Sequence, residues 1–418
     1  MSRKVLGGVV ALRTLRLGDV CIKIGSGATP RGGNDVYVAR GVSLIRSQNI
    51  HNDGFREEGL AFIGVEHAAQ LASVEVKTGD VLLNITGDSV ARSCPAPSSV
   101  IPARVNQHVA IIRPDPDKID ARYLHYHLIS PATQEAMLSL ASGGATRNAL
   151  TKGMIENFAV PAPSLSAQRN IARVLCALDD KIEQNRRTAR ALERLARAIF
   201  RAWFVDFEPV KAKAAGATAF PSMPQPVFDA LPTRLVGSAI GPVPEGWDVL
   251  RLDDLLTLQR GFDLPKPSRT DGSHPVFAAS GLNGSHSEWK VKGPGVTTGR
   301  SGILGQVFFV DRDFWPLNTS LWVKEYKRSN PWHAYFLLQT LDLAQFNAGS
   351  AVPTLNRNHV HSLPIVAPPH NLLEAFEQTC SLTFSLDRQV RNESDKLAAM
   401  RNYLLPKLLS GAVAVDPR

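Results

Sequence analysis

From Ser166 to Phe204 the chain has neither glycine nor proline, and Ile171, Leu175, Leu178, Ile182, Asn185, Ala189, Leu192, Ala196 and Ile199 recur at alternating steps of four and three. That spacing predicts one helix with a heptad seam, capped by Ser166 and about 55 Å long. A second such stretch begins at Asn371, with Leu386, Val390, Leu397, Met400 and Leu404 at seam spacing, and Pro406 predicts an interruption near its end. A single apolar seam of this length needs a partner, so the two helices are expected to bury each other as an intramolecular coiled coil.

The pattern ahead of each helix is different. Short Val, Ile, Leu and Phe runs broken by Gly, Asp and Asn predict mixed short strands and helices. These regions echo one another: Leu12 to Pro30 resembles Trp247 to Pro265, and Val105 to Pro114 faces Leu317 to Tyr326. Each of the latter two is followed by a short helical stretch, 121–128 and 332–341. Just before the long helices, Gly143/Gly349, Ala145/Ala351, Val160/Val366 and Pro163/Pro369 repeat at an offset of 206. The middles, 41–63 and 275–310, are unlike, and Glu208 to Gly246 is rich in Pro, Ala and Gly with little periodicity, as a linker would be. The expected architecture is α/β (α+β): a globule over 1–165, a helix over 166–207, a linker over 208–246, a second globule over 247–370 and a second helix over 371–412.

Composition sharpens this outline. At 418 residues, two or three cores are expected. Hydrophobic residues at 44% and charged residues at 20% are the balance of a globular protein, and a net charge of +9 favours polyanionic partners, nucleic acid before membrane surfaces. Cys21, Cys94, Cys176 and Cys380 are scattered without C-x-x-C spacing, which argues against a disulfide framework or zinc site and for a reducing cytoplasm. The opening apolar run is broken by Arg13 and Arg16, so neither a signal peptide nor a membrane span is expected.

Enzyme signatures are missing. The nearest string to a phosphate loop, Gly295 to Gly302, has Arg300 in place of the lysine, and Ile303 stands where a nucleophile elbow needs its last glycine. Glu75-Val76-Lys77 and Glu288-Trp289-Lys290 could be read as nuclease fragments, but such triplets read better as solvated strand charges. His125 and His127 lie two apart, a spacing that suits joint metal ligation in neither a strand nor a helix. Binding chemistry remains. Arg186, Arg190, Arg194, Arg197 and Arg201 form one stripe on the first helix, either a solvated face with Glu183 and Glu193 or a track for phosphates. Arg46, Gln48 and Asn49 in one middle, and Arg300 and Ser301 in the other, are residue types that read base edges, and they are also ordinary turn residues. Arg92 and Arg260 join them on residue chemistry and loop placement.

Together these strings resemble the specificity subunit of a type I restriction-modification system. The carriers are Ile171 to Lys213 with its Trp-Phe-Val-Asp-Phe exit, Gly293 to Val310, Pro316 to Val323, Gly349 to Pro369 and the closing Leu404 to Val413. The resemblance implies a non-catalytic DNA-binding subunit whose two globules each recognise one part of a split double-stranded site. It implies an antiparallel helix pair as spacer and docking element, carried here by Ile171, Leu178, Ile182, Leu192, Ile199, Val390, Leu397 and Leu404. The implied partners are two methyltransferase subunits and a restriction/translocase subunit. AdoMet, ATP and Mg are then expected only in those partners, with no cofactor, metal or membrane for this chain. The competing readings are a nuclease or methyltransferase with its own active site, and a coiled-coil scaffold that never reads DNA.

Overall fold

The computed structural model describes residues 12–143, 148–347 and 353–415. The chain divides into two compact units, Met1–Asn185 with Asn392–Arg418, and Arg186–Arg391.

In the first unit, β1 (Arg13–Arg16) leads through one helical turn into β2 (Cys21–Ser26), followed by β3 (Val81–Asn84), β4 (Ser93–Pro95), β5 (Val109–Pro114), helix α1 (Ala121–Leu128) and β6 (Ala159–Ala162). A long helix, α2 (Leu165–Phe200), comes next. The central sheet runs β2-β5-β3-β4, all antiparallel, and β1 pairs with β6. β3 is buried along its whole length because both faces are covered. Val81 and Leu83 pack with Tyr123, Leu124, Ile171 and Leu175, while Leu82, pointing the other way, packs with Leu44, Ile45 and Val105 of a second four-stranded sheet.

The second unit repeats this frame with β7 (Asp248–Arg251), β8 (Leu256–Arg260), β9 (Gly295–Gly299), β10 (Val307–Val310), β11 (Ser320–Tyr326), α3 (Pro331–Thr340), β12 (Pro364–Ala367) and a second long helix, α4 (His370–Leu409). Its sheet runs β8-β11-β9-β10, and β7 pairs with β12. In place of the second four-stranded sheet it has a three-stranded one built from 281–286, 274–278 and 315–316.

The hydrogen-bonded registers fix the repeat. Arg13 to Arg16 pair with Ala162 to Ala159, and Asp248 to Arg251 with Ala367 to Pro364. Residues before the sheet therefore correspond at 235, as the sequence implies, but those after it correspond at 205 rather than 206. Val160 matches Ile365, not Val366, and Pro163 matches Pro368. Both strands mix apolar residues with prolines at neighbouring positions, so a one-residue slip reads well as text while placing every side chain on the wrong face. Ala145, Gly349 and Ala351 lie outside the described residues.

Four details of the long helices differ from the sequence expectation. Ser164, not Ser166, caps α2, its Oγ accepting the Ala167 N–H at 3.4 Å. After Phe200 the helix passes into a π-helical turn, Arg201–Val205. Pro406 does not end α4, which continues to Leu409 with Leu405, Leu408 and Leu409 buried in the first unit's core. Leu386 and Met400 are 44% and 52% exposed and so lie off the seam, whereas Val390, Leu397 and Leu404 are half-buried.

Within each unit the two helices run antiparallel. In the first, Arg401 donates to Asp179 at 2.7 Å and Asn185 to Glu393 at 2.8 Å. In the second, Phe376 packs on Phe200 and Phe204 with centroids 5.7 and 5.1 Å apart. The segment read as a linker is folded, with helices Glu208–Ala214 and Gln225–Ala230 and a hairpin of Leu235–Ser238 with Gly241–Pro244. Phe207, Val210, Phe228 and Leu231 make its small core.

Candidate nucleic-acid interface

The same loops meet at one end of the central sheet in both units. Where the chain leaves β3, the Ile85 carbonyl accepts the Leu150 N–H at 2.9 Å, and where it leaves β9, the Arg300 carbonyl accepts the Leu355 N–H at 2.8 Å. One residue on, Thr86 bridges Ala149 and Ser301 bridges Thr354. Next, Gly87 and Gly302, with φ of +76° and +92°, donate to the Asn148 and Pro353 carbonyls at 3.2 and 2.9 Å. Left-handed backbone favours glycine at both turns.

The strand that leaves β2 or β8 crosses the same end. A Cβ on Gly27 would stand 2.0 Å from the Val105 carbonyl oxygen, and one on Gly261 would stand 2.2 Å from that of Leu317. Only glycine permits that approach, and it carries Thr29 over Gln107 and Asp263 over Asn318. Thr29 Oγ1 donates to Gln107 Oε1, and Asn318 Nδ2 donates to Asp263 Oδ1. The first network extends from Gln107 Nε2 to His108 Nε2 at 3.1 Å and from His108 Nδ1 to Thr86 Oγ1 at 2.7 Å.

The candidates picked from sequence divide. Arg260 is exposed at the end of β8, and Arg300 and Ser301 lie in the loop after β9, so the structure brings these three to this sheet end. Arg300 is steadied by an Nη1 bond to the Asn318 carbonyl at 3.3 Å. Arg46 and Gln48 lie in the turn after the strand 37–45, both donating to the Gly59 carbonyl, at 2.7 and 3.0 Å, and that turn borders the same sheet end, the Ser47 carbonyl accepting the Asn84 amide at 2.9 Å. Arg92 is half-buried just before β4 and lies at the same sheet end, its carbonyl accepting the Asn84 N–H at 2.8 Å. Asn49 is corrected: it is fully buried, its amide donates to the Arg56 and Glu58 carbonyls at 2.8 and 3.3 Å, and its oxygen accepts the Arg46 N–H at 3.0 Å. It staples the loop and presents nothing to a ligand. On the helices, Ile171, Ile182 and Ile199 are buried, and Leu178 and Leu192 half-buried.

The other titratable candidates are structural. His125 and His127 are buried on α1, and burial pushes each down to about 4, so both are neutral. Glu75 lies 3.5 Å from Arg104, and Lys290 lies over the Trp315 ring at 4.9 Å. On the arginine stripe, Arg197 pairs with Glu193 at 3.3 Å and Arg201 with Asp206 at 2.8 Å. Among the described residues no three His, Cys, Asp or Glu side chains gather to hold a metal, all four cysteines are free, and no helix is long and apolar enough to cross a membrane.

A family model described as the type I restriction modification DNA specificity domain matches residues 12–194 and 244–384, once in each half and over more than half of the chain. The chain belongs to that family. Among curated relatives, the MjaIX specificity subunit of Methanocaldococcus jannaschii is 24% identical over 344 residues, covering 75% of this chain and 74% of its own length. The HindI specificity subunit of Haemophilus influenzae is 24% identical over 407 residues, covering 82% and 88%. The crystal structure of the type I restriction-modification S subunit from M. genitalium superposes with a TM-score of 0.61 at 14% identity, over 98% of both chains. Specificity subunits recognise DNA and catalyse nothing themselves, so this chain is a non-catalytic recognition subunit.

Sequence reasoning missed Thr29, Thr86, Gln107 and His108, and Asp263, Asn318 and Thr319. Apart from the neighbours Gln107–His108 and Asn318–Thr319 they lie far apart along the chain, and the sequence pairing of 105–114 with 317–326 sets those neighbours one residue out of step. Only the registers, which place 29 with 263, 86 with 301, 107 with 318 and 108 with 319, reveal them as equivalent sets.

Proposed function

We propose that this chain reads a bipartite double-stranded DNA site, each unit recognising one part, and directs partner-catalysed adenine methylation or cleavage there. What supports the reading is the double match: two copies of a DNA specificity domain, each on its own sheet frame. Arg46, Gln48 and Arg92 serve the first half-site and Arg260, Arg300 and Ser301 the second, with cations anchoring phosphates and polar groups reading bases. The paired helices, closed by Ile171, Leu178, Ile182, Leu192, Ile199, Val390, Leu397 and Leu404, form the spacer on which two methyltransferase subunits and a restriction/translocase subunit assemble. AdoMet, ATP and Mg belong to those partners, and the complex works in the cytoplasm.

The test is selection from a randomised duplex pool at fixed salt, by this chain alone and mixed with its methyltransferase. An enriched split motif with a constant gap, altered at one end only when residues 31–160 are exchanged, is the expected result. Salt-sensitive binding with no enriched motif reduces the chain to a basic scaffold.

A further inference from the structure

We infer that base selection rests on one pseudo-equivalent polar set at the sheet ends, Thr29, Thr86, Gln107 and His108 in the first unit and Asp263, Ser301, Asn318 and Thr319 in the second. Gln107 and Asn318 are its central readers. The inference rests on the DNA-reading function proposed above and names its residues.

Two readers that share a frame yet select different bases need groups that are equivalent in position, different in chemistry, open to solvent and held still. Most surface positions fail one of these conditions. Arg46 and Gln48 lie in the turn after the strand 37–45, where the second unit, after its corresponding strand 274–278, has only the small residues Ala279, Ser280 and Gly281, and Asn49 is buried. The polar sets meet all four. Thr29, Gln107, His108 and Asp263 are exposed, and Thr86, Ser301, Asn318 and Thr319 are half-buried. They occupy matching positions, and two of the four pairs differ in kind, a carboxylate standing in place of a hydroxyl and a hydroxyl in place of an imidazole, while the amides Gln107 and Asn318 differ in reach by one methylene. Gly27 and Gly261 fix the approach of the strand that bears Thr29 and Asp263.

Their bonding leaves capacity for a ligand. A side-chain amide has two N–H donors and two acceptor sites on oxygen. Gln107 uses one of each, to His108 and Thr29, and keeps one of each. Asn318 uses one N–H on Asp263 and keeps the other together with its oxygen. A donor and an acceptor side by side are what an amide needs to pair with the N6 and N7 edge of adenine. The internal bonds hold the amides in place beforehand, which favours discrimination over mere adhesion. Asp263 strengthens the case for base edges over backbone. A carboxylate repels phosphate, while it accepts from the exocyclic amine of cytosine. Arg260 and Arg300, at the same sheet end, supply the phosphate contacts that such a carboxylate requires nearby.

The experiment is the same duplex selection with the full chain, comparing wild type with Gln107→Ala and Asn318→Ala. The expected result is a loss of about tenfold or more in preference at one base position, in one half-site for Gln107→Ala and in the other for Asn318→Ala, the opposite half being kept. Thermal melting checks that each variant is folded. Should either alanine variant unfold, Gln107→Glu and Asp263→Asn, nearly identical in shape to the native side chains, give the same readout. An unchanged motif in both halves overturns the inference, as does uniform weakening across all sequences, the mark of a phosphate contact. A wild-type selection that yields no motif overturns the functional reading itself, and the two failures are thereby told apart.

Discussion

The two units seat their long helices on the same frame with different contacts. In the first unit an aliphatic seat around Ile171, Leu175 and Leu405 is joined by a polar network: Tyr126 donates to Asp179 at 2.6 Å, Arg401 holds the other Asp179 oxygen, and Gln168 accepts the Asp120 N–H at 3.0 Å. In the second the seat is aromatic. Phe376 is fully buried against Phe200, Trp203, Phe204 and Phe336, and Phe309 stacks on Trp332 at 3.7 Å with Phe384 beyond. A common register therefore does not require common chemistry. The strand pairings and glycine turns carry the fold, and the contacts behind them are free to diverge.

The largest effect that could break this contrast is at the aromatic seat. Phe376→Ala removes the ring shared by four others and is expected to cost about 3–5 kcal/mol in chemical denaturation, with amide-exchange protection lost first in α3. A cost below about 1 kcal/mol would show that the ring cluster does not hold the helix.

Acid should separate α1 from α3 next. Burial holds His125 and His127 at about 4 and His333 at about 3, while an unfolded histidine titrates near 6.5. The unfolded state thus takes up protons first as pH falls. Stability from these groups is complete above about pH 6.5 and declines below it, by about 1.4 kcal/mol per pH unit for each histidine, until the folded values are reached. With two such groups against one, α1 should lose exchange protection about twice as steeply as α3 between pH 6.5 and 5. Equal slopes would erase the distinction.

The smallest effect concerns the seam. Leu386→Ala and Met400→Ala, both at exposed positions, should change stability by no more than about 0.5 kcal/mol, whereas Leu405→Ala should cost about 2–4 kcal/mol. A large loss at Leu386 would restore it to the helix interface.

Much of this was legible in the sequence because helical periodicity survives great divergence. Ile171, Ile182 and Ile199 announce α2 without help, and the 235-residue correspondence of the two opening strands is visible by eye. The register before the long helices was not, because prolines and small apolar residues look alike one position apart and only the hydrogen bonds choose between them. Leu386 and Met400 match a heptad but face solvent, since periodicity locates a stripe and not its edge. Asn49 shows the limit of arguing from residue type: the same amide that pairs with adenine also satisfies carbonyls in a buried turn. The polar sets at the sheet ends were invisible for the opposite reason, being assembled from loops distant in the chain.

The division of the chain has a consequence for the order of its birth. The second unit is continuous, Arg186–Arg391, whereas the first is finished only by Asn392–Arg418, whose Leu405, Leu408 and Leu409 complete the cluster around Leu17, Ile171 and Leu175. At roughly 5–20 residues per second, translating the intervening unit takes on the order of 10–40 s. Throughout that interval the earlier-made globule waits with part of its core uncovered, and the later-made one is the first to close.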